Sequence, residues 1–366
     1  MKLARVMLFL MTSALAANGA VNKKPFGTMP DGTPVELYTL SDGSTEAAIT
    51  TYGAHLVTFK TPDRDGKVAD VVLGYDTLAG YLGDQKTYFG AIVGRYGNRI
   101  AQGRFSINGQ QYQVPRNNGE NSLHGGTVGF NQLVWKAHEV ANGVELTLVS
   151  KDGDQGYPGT LTVHVRYTLH HGALRIDYTA STDKATVLNI TNHSYFNLAG
   201  QGSGSILNQQ AMIDADSYTP VDPNQIPTGI APVEGTPFDF RKPTVIGSRM
   251  QADNEQLKIG GGYDHNWVLR GANGEMKPVA RMVDPGSGRV LTVTSTEPGV
   301  QFYTGNSIPE PVHGKGGAVY MKNAGFCLET QHFPDSPNHP EFPTTLLKPG
   351  ETMHSSTVFA FTTQPR

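Results

Sequence analysis

The chain has 366 residues, 38% hydrophobic and 17% charged, with 43 glycines and 29 Lys+Arg against 32 Asp+Glu for a net charge of −3. These proportions exclude coiled coil, collagen and wholesale disorder, and without a basic excess no nucleic-acid partner is expected. Cys327 is the one cysteine, which excludes an intrachain disulfide and Cys-cluster metal sites.

Lys2 and Arg5 precede an apolar stretch from Val6 to Ala17, interrupted by Thr12 and Ser13, and Ala14-Leu15-Ala16 supplies the small residues of a peptidase site. This is the secretory pattern, and it is shorter than the ~20 apolar residues a membrane span needs. Residues 1–16 are therefore expected to be a signal peptide cleaved after Ala16, giving a periplasmic or secreted protein with no stable membrane insertion. A retained anchor and a buried helix are the alternatives.

The segment Thr77 to Lys86 reads as a helical turn or two. Phe105 to Val114 places Asn108-Gly109 between two alternating runs, the signature of a type I′ hairpin. Asn142-Gly143 repeats the device before Val144-Glu-Leu-Thr-Leu. Leu161 to Leu169 and Ala173 to Ala180 alternate on either side of His170-His171-Gly172, and Arg289 to Ser295 alternates again. No sustained helical period is present. Residues 17–366 are expected to form one large antiparallel all-β domain, a sandwich or barrel with few short helices. Gly200 to Ser205 reads as a loop tip.

Five polar, Gly-rich segments break the alternation: Gly94 to Ile100, Leu123 to Gly126, Asn189 to Leu198, Tyr263 to Trp267 and Gly325 to His332. If Phe326 to Gln331 is a strand, Phe326 and Leu328 face one way and Cys327, Glu329 and Gln331 the other. Burial of Glu329 there would raise its pKa and suit it to act as a base; a solvated edge position is the alternative. Thr191, His193 and Tyr195 share a face, so His193 reads as catalytic or as a hydrogen-bonded core residue. His124 stands beside glycines that permit close backbone approach. Arg99 offers a planar donor fork for hydroxyls or a carboxylate, and Asp264 either accepts hydroxyls or caps a turn. No metal motif, phosphate loop or serine elbow is present, so no metal is expected, although twelve histidines could converge in space. The sequons Asn189-Ile-Thr and Asn192-His-Ser read as coincidences within the polar cluster.

Taken in order, Asn98-Arg99, Leu123-His124-Gly-Gly, Thr191-Asn-His193-Ser-Tyr-Phe-Asn, Asp264-His-Asn, Gly-Val-Gln301-Phe-Tyr-Thr-Gly-Asn and Phe326-Cys-Leu-Glu329-Thr-Gln resemble the aldose 1-epimerase (galactose mutarotase) family. The likeness covers nearly the whole mature chain. Gly97 stands where many relatives carry Ala, and the leader departs from the many cytoplasmic ones. The resemblance implies a galactose mutarotase-like β-supersandwich with an open sugar cleft. It implies Glu329 as general base and His193 as general acid. It further implies that Arg99, His124, Asp264, Gln301 and Asn98 hold a monosaccharide, with no cofactor, in a monomer or homodimer. Reference pKa values of ~4.3 for Glu and ~6.5 for His would let the pair hold opposite protonation states near neutral pH. A hexose-6-phosphate epimerase, a carbohydrate-binding module and a glycoside hydrolase using Asp264 and Glu329 are the competing readings.

Overall fold

A side-chain period of two makes each strand two-faced, so a sheet can bury one side in the core and keep the other for a site. The computed structural model describes residues 19–366 except Gln85 and Glu310, and the expected leader lies outside the described residues. In Leu161–His170 the buried set is Leu161, Val163, Val165, Tyr167 and Leu169; in Ala173–Thr182 it is Leu174, Ile176, Tyr178, Ala180 and Thr182. These strands pair with Val165 opposite Tyr178 and turn through His171 and Gly172, both at positive φ. They belong to a nine-stranded sheet in the order Lys136–Val140, Gly143–Ser150, Leu161–His170, Ala173–Thr182, Thr352–Thr363, Arg289–Ser295, Lys277–Val283, Gln210–Ile213 and Thr244–Val245.

A six-stranded sheet packs against it in the order Tyr195–Phe196, Phe326–Gln331, Gly299–Tyr303, Asp264–Leu269, Ala215–Thr219 and Ala231–Pro232. Its inner residues Phe196, Phe326, Leu328, Val300, Phe302 and Trp267 share one apolar cluster with Leu291, Val293, Phe359 and Phe361 of the larger sheet. The rings of Phe196 and Phe359 lie 5.2 Å apart across the interface. Each such side chain withdrawn from water contributes roughly 1.5–3 kcal/mol. Leu40, Ile49, Leu56 and Phe59 of a five-stranded N-terminal meander, Ala20–Thr28 to Val68–Asp70, complete the cluster. Pairing within all three sheets is antiparallel. The result is the large antiparallel β-sandwich that the alternation predicts.

The α-helices among the described residues are short. Leu78–Gly83 falls in the segment read as helical turns, and Glu255–Gly260 is capped by the Asn254 side chain, which accepts from the N–H groups of Gln256 and Leu257. No described helix is long and apolar enough to cross a membrane.

Of the two Asn-Gly hairpins, one differs from expectation. Asn108 and Gly109 both take positive φ between Ile107 and Gln110, as a type I′ turn requires. In the other, Val140 pairs with Gly143, so the turn is Ala141-Asn142 and Asn142 alone has positive φ there. Gly143 belongs to the strand, where a Cβ would collide with the carbonyl oxygen of Tyr167. Close strand approach, and not turn geometry, demands that glycine.

Candidate active site

The outer face of the six-stranded sheet carries the polar residues. Asp264 stands opposite Tyr303 and Tyr303 opposite Cys327; Asn266 stands opposite Gln301 and Gln301 opposite Glu329. Residues two apart share a face, so Asp264, Gln301 and Glu329 converge while their neighbours Phe302 and Leu328 enter the core. The chain runs from Thr191–His193, paired with Ala91–Val93, into this sheet at Tyr195. That path brings His193 Nε2 to 3.6 Å from Glu329 Oε1 and its ring to 5.2 Å from that of Tyr195.

Loops supply the other wall. Buried Arg95 anchors the first, donating to the carbonyls of Pro158 and Gly159 and to Ser150 Oγ. Gly97 N–H donates to Asn189 O at 2.6 Å, and Asn189 Nδ2 returns a bond to Gly97 O. Asn98, at φ +63, then clips to the Leu-His-Gly-Gly loop: His124 N–H donates to Asn98 O, and Asn98 N–H donates to His124 Nδ1, each at 3.1 Å. Gly125 has φ +92, and a Cβ there would overlap the carbonyl oxygen of Gly94. The close approach expected at these glycines is thus to backbone.

Arg99 Nε donates to Asn118 Oδ1 at 3.1 Å, and its Nη2 donates to Gln225 Oε1 at 2.6 Å. Gln225 Nε2 in turn donates to Asp264 Oδ2 at 2.8 Å. One amide therefore links the cation to the carboxylate across the cleft. Gln256 positions its loop, donating to Val221 O and accepting from Val221 N–H. Asp264 Oδ1 accepts from Gln301 Nε2 at 2.7 Å. The cleft so formed has a volume of about 550 Å³ and is lined by Tyr88, Asn98, Arg99, His124, His193, Asp264 and Glu329 among others.

Burial sets the electrostatics. Glu329 is 2% exposed and His193 5%. Desolvation, reinforced by the negative charge of Asp264 and opposed by Arg99, holds the Glu329 carboxyl well above the usual carboxylate range. Desolvation pushes the His193 imidazole down to about 4. This corrects the expectation built on reference pKa values, because low dielectric favours the neutral forms of both partners. Burial therefore favours a protonated carboxyl beside a neutral imidazole, one proton between the two groups. His124 is likewise pushed well below its usual value by burial, then by His193 and Arg99.

Ligand atoms of His124, His193 and Glu329 lie within 4.8 Å of one another, spacing that a cation could use. The donor set does not suit one. Asn98 N–H donates to His124 Nδ1, so a neutral His124 carries its proton on Nε2. His124 presents an N–H donor to the cleft, where a metal requires a lone pair.

Asn98, Arg99, His124, His193, Asp264 and Glu329 all line the cleft, as the sequence reading expected. Gln301, 3% exposed, stands directly opposite Glu329 on the same sheet face and donates to Asp264 Oδ1. Sequence reasoning missed Gln225, which sits in a turn with no motif, and Tyr88, whose ring lies 4.7 Å from that of His124. Asn189 and Asn192 are buried, so neither sequon offers an accessible acceptor.

Residues 36–360 match the family model described as aldose 1-epimerase. The bovine protein named galactose mutarotase is 48% identical over 344 residues, covering 93% of this chain and 98% of its own. The Escherichia coli K12 aldose 1-epimerase is 39% identical, covering 91% and 96%. The crystal structure of galactose 1-epimerase from Lactobacillus acidophilus superposes with a TM-score of 0.82 at 29% identity, over 95% of this chain and 100% of that one. With a family model spanning most of the chain and relatives matched over nearly their full length, this chain belongs to the aldose 1-epimerase family.

Proposed function

We propose that the protein interconverts the α and β anomers of free aldoses, with Glu329 as general base and His193 as general acid. The observation that carries the assignment of roles is the 3.6 Å approach of Glu329 Oε1 to His193 Nε2 on the floor of a polar cleft. A group pair at that separation can address two oxygens bonded to one carbon. Ring opening begins as Glu329 takes the proton of the anomeric hydroxyl. The C1–ring-oxygen bond breaks, its electron pair goes to the ring oxygen, and His193 Nε2 protonates that oxygen. Rotation about C1–C2 presents the other aldehyde face. On closure the ring hydroxyl returns its proton to His193, and Glu329 protonates the former carbonyl oxygen. The enzyme ends with the protons it began with.

The reactive distribution places the shared proton on His193 and leaves Glu329 ionised. Burial opposes this distribution before substrate binds. A hydroxyl donating to Glu329 and a ring oxygen accepting from His193 favour it, so substrate itself draws the pair into its working form. His124 Nε2–H and the guanidinium N–H groups of Arg99 not bonded to Asn118 or Gln225 serve as fixed donors for sugar oxygens, and Asp264 as acceptor. Residues 17–366 act as one unit after removal of residues 1–16 outside the cytoplasm, a reading supported by the leader pattern.

Optical rotation of freshly dissolved α-D-glucose and α-D-galactose tests the activity. Faster decay to an unchanged equilibrium rotation is expected with one or both; no acceleration of either would overturn the proposal. N-terminal sequencing of protein from the periplasmic fraction should begin at Ala17, and an intact Met1 in a cytosolic fraction would contradict export.

A further inference from the structure

Outside the sugar cleft, two turns from distant parts of the chain meet. The hairpin joining Leu161–His170 to Ala173–Thr182 closes with His170 opposite Ala173, leaving His171-Gly172 as its two-residue turn. Both turn residues take positive φ, +49 and +73, as a type I′ turn requires. In a straight strand successive side chains point to opposite faces. The turn breaks that alternation at His171, and the two imidazole ring centroids lie 3.9 Å apart. Asp42 ends the strand Pro34–Asp42 of the N-terminal meander. Its Oδ2 accepts the backbone N–H of His171, a bond between residues 129 apart in sequence. A carboxylate oxygen carries more than one lone pair, so this bond orients the carboxylate without exhausting it. One ligand atom each from Asp42, His170 and His171 thus lies within 4.8 Å of the others, with both imidazoles exposed. None of the three residues lines the sugar cleft.

We propose that Asp42, His170 and His171 form a binding site for a late first-row divalent cation, Zn²⁺ or a neighbour in that series. Two imidazole nitrogens and one carboxylate oxygen are donors that such ions take, at about 2.0–2.2 Å each for zinc. Tetrahedral geometry at that length sets donors about 3.4 Å apart. Closing the three atoms to that spacing needs only side-chain rotation, which exposed imidazoles accommodate. Either ring nitrogen can turn to the ion, in contrast to His124, whose Nδ1 accepts from Asn98 N–H. Ca²⁺ and Mg²⁺ take six or more ligands, chiefly oxygen, and one carboxylate does not select them. The bound ion ties the meander to the nine-stranded sheet where the His171–Asp42 hydrogen bond already joins them. No linear motif announces the site, because its ligands come from two turns far apart in sequence. It stands independently of the proposed catalysis.

The test uses the full, untagged chain, stripped of metal with a chelator and titrated calorimetrically with ZnCl₂, NiCl₂ or CaCl₂. Wild-type protein should bind one Zn²⁺ per chain, and Ni²⁺ at the same site, with no binding heat from CaCl₂. At free Zn²⁺ about 100 times the dissociation constant, the melting temperature should rise by a few degrees. His170→Ala, His171→Asn and Asp42→Asn should each weaken Zn²⁺ binding at least about tenfold, since even outer-shell partners of a metal site contribute that much. Asparagine at position 171 tolerates positive φ, so the turn survives, and Asp42→Asn keeps an acceptor for the His171 N–H. Saturating Zn²⁺ should leave the rate of mutarotation unchanged. Absence of Zn²⁺ binding to wild-type protein, or binding unaltered in all three variants, would overturn the proposal. Zn²⁺ that inhibits mutarotation and binds His170→Ala as tightly as wild type would assign the ion to His124, His193 and Glu329, and overturn it as well.

Discussion

Replacing Gln225 by leucine isolates the link between Arg99 and Asp264. The substitution removes the 2.6 Å bond from Arg99 Nη2 and the 2.8 Å bond to Asp264 Oδ2. Hydrogen bonds to charged groups contribute about 1.5–3 kcal/mol each. Arg99 retains Asn118 and Asp264 retains Gln301, so neither group is released outright. The net loss of positioning should correspond to about one such bond, or roughly 10- to 100-fold in kcat/KM. Glu329 and His193 make no hydrogen bond to Gln225, so the loss should fall on KM, with kcat changed less than about threefold. Initial rates of rotation change across a range of sugar concentrations separate the two constants. A kcat lowered a hundredfold at unchanged KM would refute the reasoning, because Gln225 would then be acting on the chemistry. Unchanged constants would refute it equally, by showing that the amide link does not hold the sugar-binding groups.

Two further predictions concern proton balance and backbone. The pair works with one shared proton and fails as it gains a second. With His193 pushed down to about 4 and Glu329 pushed up, kcat/KM should stay level from neutral pH downward and fall only near pH 4; after correction for spontaneous mutarotation, an acid limb centred on ~6.5 would show that burial does not govern His193. Gly125→Ala should lower stability by about 3 kcal/mol or more in urea unfolding, because strain at φ +92 and overlap with Gly94 O combine there. Gly109→Ala, at φ +81 in open space, should cost only about 1 kcal/mol; equal costs would refute the close-approach argument.

The legible parts of the site were those fixed by short-range periodicity. Alternation in Phe326–Gln331 was enough to place Glu329 with Cys327 and Gln331 on the face away from Phe326 and Leu328. The same rule put His193 and Tyr195 together. Register across strands was not legible, because nothing within a single strand states its partner. That Gln301 stands directly opposite Glu329 and bonds Asp264 comes only from the pairing. Gln225 was invisible for a related reason: its turn carries no local signal, and its two bonds span 126 and 39 residues of sequence. Gly143 was misread as a turn residue because its need for glycine comes from a neighbouring strand. The pKa order of Glu329 and His193 could not be taken from reference values, since desolvation acts only once the sheets have closed over them.

The account stands most directly on the joint role of Glu329 and His193. Optical rotation should be followed with wild-type protein, Glu329→Gln and His193→Asn at equal concentration and with matched melting curves. Each variant should lose about 10²- to 10⁴-fold in kcat while reaching the same equilibrium rotation. Turnover near the wild-type rate in either folded variant would contradict the account and remove that residue from the reaction.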